Sequence, residues 1–214
     1  MSCPFDLAHY REIVEAAQAG GYRFAHFEGA PAEGSVILRH DVDLSLDAAV
    51  RMAELESDAG ASATYFLMTE SVFYNLDSSE GVAAIGRLRE LGHRVAQHAV
   101  YPNAPADERF DPVVAWHNPD PEYMRAPLAD GRINVMQDPW FDPATYRSDS
   151  NQHWRSGCPH ADLRAGTFPW LQLLTHPEIW AFEGETMGQT MRAMLEAEKV
   201  RRLQQLAEDR IDLS

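Results

Sequence analysis

Val36-Ile37-Leu38-Arg39-His40-Asp41-Val42-Asp43 runs an apolar stretch into a pair of carboxylates. Side chains alternate along an extended strand, so Asp41 and Asp43 leave the same face, one pleat apart. Leaving both buried and unpaired would cost roughly several kcal/mol, so the pair calls for a cation or a shared proton. A hard divalent metal is the simplest cation. The plainer alternative is that the pair caps the following helix and salt-bridges Arg39. By the same alternation His40 points away from both carboxylates and reads as a supporting or core residue.

Outward from this stretch the chain alternates strand and helix. Leu7, Tyr10, Val14 and Ala17 keep helical spacing up to Gly20-Gly21, which predicts a first helix over Asp6 to Ala19, followed by a strand over Tyr22 to Phe27. After Asp43, Ser45 opens a helix carrying Ala49, Met52, Ala53 and Leu55 until Gly60. Thr64 to Met68 is rich in strand formers. Ser78 or Ser79 caps a helix with Val82, Ile85, Leu88 and Leu91 on its apolar face, and Arg94 to His98 is another strand. Short strand-helix alternation predicts parallel strands with helices outside. The pattern breaks at YPNAPADERFDP after Val100, where a crossover helix is due. Strands resume at Val113 to Trp116 and at Trp170 to Leu174. Between them a turn-rich region has strand-like pieces near Ile133 and Thr145. From Thr186 to Glu208 the composition is helix-forming, with Met187, Met191, Met194 and Leu195 on one face. We read one α/β barrel domain over 1–184 and a C-terminal helix over 185–214, packed on the domain or at a homo-oligomer interface.

Composition narrows the function. With 18 Lys+Arg against 33 Asp+Glu the formal charge is -15, which disfavours nucleic acid and anionic membrane surfaces as partners. Cys3 and Cys158 are the only cysteines and show no CxxC spacing, so neither a disulfide framework nor a cysteine zinc site is expected. The opening residues lack an uninterrupted apolar segment, so a cytoplasmic location is expected.

Chemistry gathers at the predicted strand ends: Asp41 and Asp43, then His98, His117 and His176. In parallel α/β folds the carboxyl ends of the strands build the site. A divalent ion on Asp43 and His98 would polarise a substrate carbonyl, Asp41 would take a proton from water, and His176 would protonate a leaving amine. Asp149 is a carboxylate able to hold the His176 ring and raise its pKa. The reaction class this arrangement suggests is hydrolysis of an amide or ester.

These residues resemble the polysaccharide deacetylases with the NodB-homology domain, also called carbohydrate esterase family four. The resemblance rests on ILRHDVDLSLDAAVRMAELESDAGASATYFL, ELGHRVAQH, WHNPD, YRSDSN-x-x-WR and LQLLTHPEIW, and spans roughly Val36 to Trp180. It implies a distorted (β/α) barrel that removes acetyl groups from N-acetylated sugars with a bound divalent metal, zinc being the first choice. It also implies that Asp41 is the general base, Asp43 and His98 are metal ligands, His176 is the general acid and Asp149 tunes it. The substrate expected is a small acylated sugar, glycan or similar amide.

The chain departs from the family pattern in three places. Pro102 stands where the family has a second metal histidine, so the third ligand must come from elsewhere: His117 first, then His93 or Asn103. The segment after His98 is short. The arginine that orients the base is not evident near His117, and Arg39 or Arg147 could replace it. His93 follows a helix stop and belongs at the structural end, and His153 and His160 are expected to be solvated. Trp116, Trp154 and Trp180 read as core, and Trp140 and Phe141 as candidates for sugar stacking. The alternative function is an inactive member of the family serving as a glycan-binding or assembly module.

Overall fold

The computed structural model describes residues 3–211. Its strands are β1 (Arg23–Phe24), β2 (Ser35–Val42), β3 (Ala63–Met68), β4 (Arg94–Ala99), β5 (Val113–Trp116), β6 (Ile133–Asn134), β7 (Tyr146–Ser148) and β8 (Trp170–Thr175). Seven lie in the order β6-β5-β4-β3-β2-β8-β7, and β1 pairs with the start of β2. Every pairing is parallel. The sheet is curled into a half-barrel, and among the described residues no pairing joins β6 to β7.

Helices α1 (Leu7–Ala19), α2 (Leu46–Asp58) and α3 (Ser79–Glu90) start at side-chain caps from Asp6, Ser45 and Ser78 respectively. They cover one face of the sheet. Val36, Leu38 and Val42 of β2 join Tyr65, Leu67, Leu171 and Leu173 against Tyr10, Ile13, Met52 and Leu88 of the helices. The other, concave face holds a smaller cluster in which Ile37 meets Phe66, Ala96, Ala115, Val135 and Trp140. Odd residues of β2 therefore face inward, and Ile37 is followed on that face by Arg39 and Asp41. Both are buried, at 2% and 3% exposure.

Several local expectations are corrected. The strand expected over Tyr22 to Phe27 shrinks to two residues, because only Arg23 and Phe24 find register with Ser35 and Val36 before β3 takes that edge of β2. The buried face of α2 runs Ala49, Met52, Ala53 and Glu56, with Leu55 only half-buried. Val82 is 60% exposed. Two short helices escaped the periodicity: α4 (His160–Arg164) and α5 (Pro177–Ala181), since one turn and a half carries too little pattern to read. The last helix, α6 (Met187–Glu208), buries only Thr190 and Met194, leaving Leu195 and Leu203 exposed. Arg201 and Arg202 of α6 pair with Glu80 of α3. Among the described residues no helix is long and apolar enough to cross a membrane.

Glu56 organises the layer between α2 and the sheet. Tyr10 and His40 donate to its Oε1 at 2.5 and 2.8 Å, and Tyr65 donates to its Oε2 at 2.6 Å. Three elements of the fold thus converge on one buried carboxylate, directly behind Asp41. Burial opposes its charge, but His40 and its hydrogen bond outweigh burial and hold the carboxyl below its ordinary value. His93, placed at the structural end as expected, accepts from the Ala63 amide and lies 3.0 Å from the Ala53 carbonyl.

Candidate active site

Three elements bring a carboxylate and two imidazoles together. Asp43 follows β2, His98 lies in β4 and His117 follows β5, all at the carboxyl ends of parallel strands, with β3 between β2 and β4. Asp43 Oδ1 lies 3.1 Å from His98 Nε2 and 3.2 Å from His117 Nδ1, and the two nitrogens are 3.2 Å apart. Tetrahedral coordination with bonds of about 2.0 Å places ligand atoms roughly 3.3 Å apart, so the triangle has the size that zinc needs. Asp43 Oδ1 is buried, and no donor is directed at it for a hydrogen bond.

The outer contacts set the tautomers for this use. His98 Nδ1 lies 3.0 Å from the Ala115 carbonyl and donates to it, leaving the Nε2 lone pair facing Asp43. The Asn118 amide lies 3.1 Å from His117 Nε2. With its oxygen turned to the ring it accepts that N–H and frees Nδ1. Asn118 itself sits at φ 44, a left-handed turn that asparagine tolerates and that swings the chain away after His117. Burial opposes ionisation of Asp43, but with no ion bound and the facing ring nitrogens protonated, the imidazoles of His117 and His98 hold its carboxyl far below the ordinary range. His117 is correspondingly raised, chiefly by its contact with Asp43. The group could hold a metal ion.

Asp41 is next to this triangle and outside it, with Oδ2 3.8 Å from His98 Nε2. Arg39 grips it from the same strand face: Nε donates to Oδ1 at 2.8 Å and Nη2 to Oδ2 at 2.6 Å. Gln172 and Met136 anchor the remaining guanidinium nitrogen, each at 3.2 Å. Burial raises the Asp41 carboxyl, but Arg39 more than cancels it, so Asp41 stays ionised. Arg39, then, holds the carboxylate that the opening stretch supplied. Arg147 does not: its guanidinium lies over Phe168 and donates to the Tyr146 carbonyl.

On the far wall His176 follows β8 and leads into α5. Its Nδ1 lies 2.7 Å from Asp149 Oδ1, and Asp149 Oδ2 accepts the His176 amide at 3.0 Å and Trp180 Nε1 at 2.7 Å. Asp149 is fully buried and every contact fixes it against the imidazole. Burial would lower the His176 pKa, yet Asp149 raises it from 6.5 to about 10, so the ring is an imidazolium at neutral pH.

Two adjoining clefts, of about 360 and 210 Å³, share Asp43, His117, Asn118, Ser150 and His176. Glu178, two residues beyond His176, lines the larger one, and burial raises its carboxyl to about 8. Sequence reasoning passed over it, although its place in the THPE motif was the available signal. Trp140, expected to stack on sugar, is instead packed against Phe27 in the concave core at 2% exposure. Phe141 lies outside both clefts, against Tyr146. The aromatic at the mouth is Phe73, 48% exposed beside Val72. Neither His93 nor Asn103 joins the triangle, the latter donating to Glu70. His160, expected in solvent, is half-buried.

No family model, curated protein or solved structure matches the chain. The site therefore has to be read from its own geometry.

Proposed function

We propose that the protein is a metal-dependent amidohydrolase with a NodB-type barrel, removing an acyl group, acetyl by preference, from an N-acylated sugar or related amide. The observation that carries this reading is the convergence in one cleft of a metal-sized donor triangle, an Arg39-held carboxylate and an Asp149-held imidazolium. Asp43, His98 and His117 would hold the ion, with His117 replacing the histidine missing at Pro102. A divalent ion bound there supplies Lewis-acid polarisation of an acyl carbonyl and lowers the pKa of water.

The chain's own groups do the proton work. Asp41, ionised and fixed by Arg39, accepts the proton that water releases as its oxygen bonds to the acyl carbon. His176 Nε2 faces the cleft with a proton to give, and passes it to the nitrogen as the carbon–nitrogen bond breaks. Asp149 stabilises the imidazolium before that transfer and orients the ring throughout. Products are the free carboxylic acid and amine. Phe73 at the mouth offers an apolar face to a sugar ring.

The test is metal content by plasma mass spectrometry on protein purified without chelator or nickel resin, together with acetate release from N-acetylated amino sugars. The reading requires transition metal in wild type that falls by about one equivalent per chain in both Asp43→Ala and His98→Ala, with turnover lost in His176→Gln. Wild type that takes up no metal at these residues after incubation with zinc would refute it and favour a retired, glycan-binding module.

A further inference from the structure

Cys3 and Cys158 stand 155 positions apart, yet their sulfurs lie 2.9 Å from each other. Both are free thiols. His9, in the first turn of α1, sets Nε2 3.4 Å from the Cys158 sulfur. Its Nδ1 lies 2.7 Å from the Glu12 carboxylate. That arrangement, a carboxylate taking the Nδ1 proton while Nε2 turns its lone pair to a thiol, is the outer contact that metal-binding histidines use. Beside it, His160 packs edge-on with ring centroids 5.5 Å apart, and its buried Nε2 has no hydrogen-bond partner among the described residues. None of these residues belongs to the candidate active site.

We propose that Cys3, His9 and Cys158, with His160 as the fourth donor, form a second, structural site for a thiophilic divalent ion such as zinc. The donors of the first three already lie within 4.8 Å of one another. Two thiolates and two imidazoles are the set that selects zinc over magnesium or calcium. Zinc bonds of about 2.3 Å to sulfur and 2.0 Å to nitrogen put such donors roughly 3.5–3.8 Å apart. The nitrogen–sulfur spacing of 3.4 Å lies about 0.1 Å short of that range, and the sulfurs open by less than about 1 Å on binding. Both thiols release their protons to solvent as the ion binds, and the two thiolates then balance its charge in a half-buried position.

The site would clip the start of the chain to the loop that precedes α4. Phe5, two residues on, packs on Trp180 at 5.1 Å and on Trp154 at 6.0 Å. Trp180 in turn donates to Asp149. An ion there would thus secure the segment that packs on Trp180, the residue that donates to Asp149.

Cobalt(II) separates this site from the other, because only thiolate ligands give an intense sulfur-to-cobalt charge-transfer band. Full-length protein, reduced and freed of metal, is titrated with cobalt chloride and read in the near ultraviolet. Wild type and Asp43→Ala should both show the band, saturating at one thiolate-bound cobalt per chain. Cys158→Ser and Cys3→Ser should both lose it, and His9→Gln should weaken the affinity at least tenfold. Two serine variants are used so that one surviving as folded protein, checked by circular dichroism, suffices. Wild type without the band at saturating cobalt would overturn the proposal. So would a band that survives in a folded serine variant, or peptide mapping that finds Cys3 and Cys158 disulfide-linked in freshly isolated protein and metal-indifferent after reduction.

Discussion

Glu56 offers the sharpest test of how the fold supports the site. In Glu56→Leu the side-chain volume is nearly kept, but Tyr10, His40 and Tyr65 lose the acceptor they share. Hydrogen bonds to a charged partner contribute about 1.5–3 kcal/mol each, so simple addition gives roughly 4–9 kcal/mol. The three donors share one carboxylate and relax together, and loss of one member of a buried charged network typically costs about 3–5 kcal/mol. We expect about 4 kcal/mol. In Glu56→Gln the amide oxygen still accepts from Tyr10 and His40 while its NH2 turns to the Tyr65 hydroxyl oxygen. Only the charge assistance goes, at about 1–2 kcal/mol. Urea unfolding with a slope near 2 kcal/mol/M should therefore separate the two midpoints by roughly 1–1.5 M. Because the folded carboxyl is held below its ordinary 4.5, its stabilisation is present above that pH and is lost as pH falls through the lowered value. The acid arm should shrink in Glu56→Gln. Leucine and glutamine variants unfolding within about 1 kcal/mol of each other would refute the network as an energetic centre.

Four further outcomes follow from the site. Asp149→Asn removes the charge that raises His176 from 6.5 to about 10, so the alkaline limb of kcat/KM should move down towards neutral pH while kcat falls by about 10²–10⁴; an unmoved limb counts against His176 as the acid. In metal-free protein the same raised pKa adds stability that is full below 6.5 and is lost as pH rises from there through about 10. Urea midpoints of wild type should fall across that window more steeply than those of His176→Gln, in which the raised Glu178 and His117 still titrate there. Arg39→Met strands buried Asp41 without its two bonds and should cost about 3–5 kcal/mol, read as a lower melting temperature; a change below 1 kcal/mol would show that Asp41 needs no such partner. Phe73→Ala should raise KM about 2–10-fold with kcat unchanged, as loss of a stacking face does; an unchanged KM would remove Phe73 from the substrate path.

The sequence by itself determined what local pattern can carry. Alternation in β2 placed Asp41 inward and His40 towards the helices, and helical spacing, with serine caps for α2 and α3, placed α1, α2 and α3 to within a residue or two. Strand ends located Asp43, His98, His117 and His176, because in parallel sheets these ends share one rim. Tertiary structure alone decided which of them meet, since distances between β2, β4 and β5 depend on strand order and curl. It brought His117 to within 3.2 Å of Asp43, chose Arg39 over Arg147 as the partner of Asp41, and sent Trp140 into the concave core. It also chose Glu56 over Leu55 for the inner face of α2, a choice hydropathy opposes because a buried carboxylate is tolerable only where Tyr10, Tyr65 and His40 reach it. The nearness of Cys3 to Cys158 is of the same kind: α1 packs on α4, which leads into β8 beside β2, and no spacing along the chain encodes that contact.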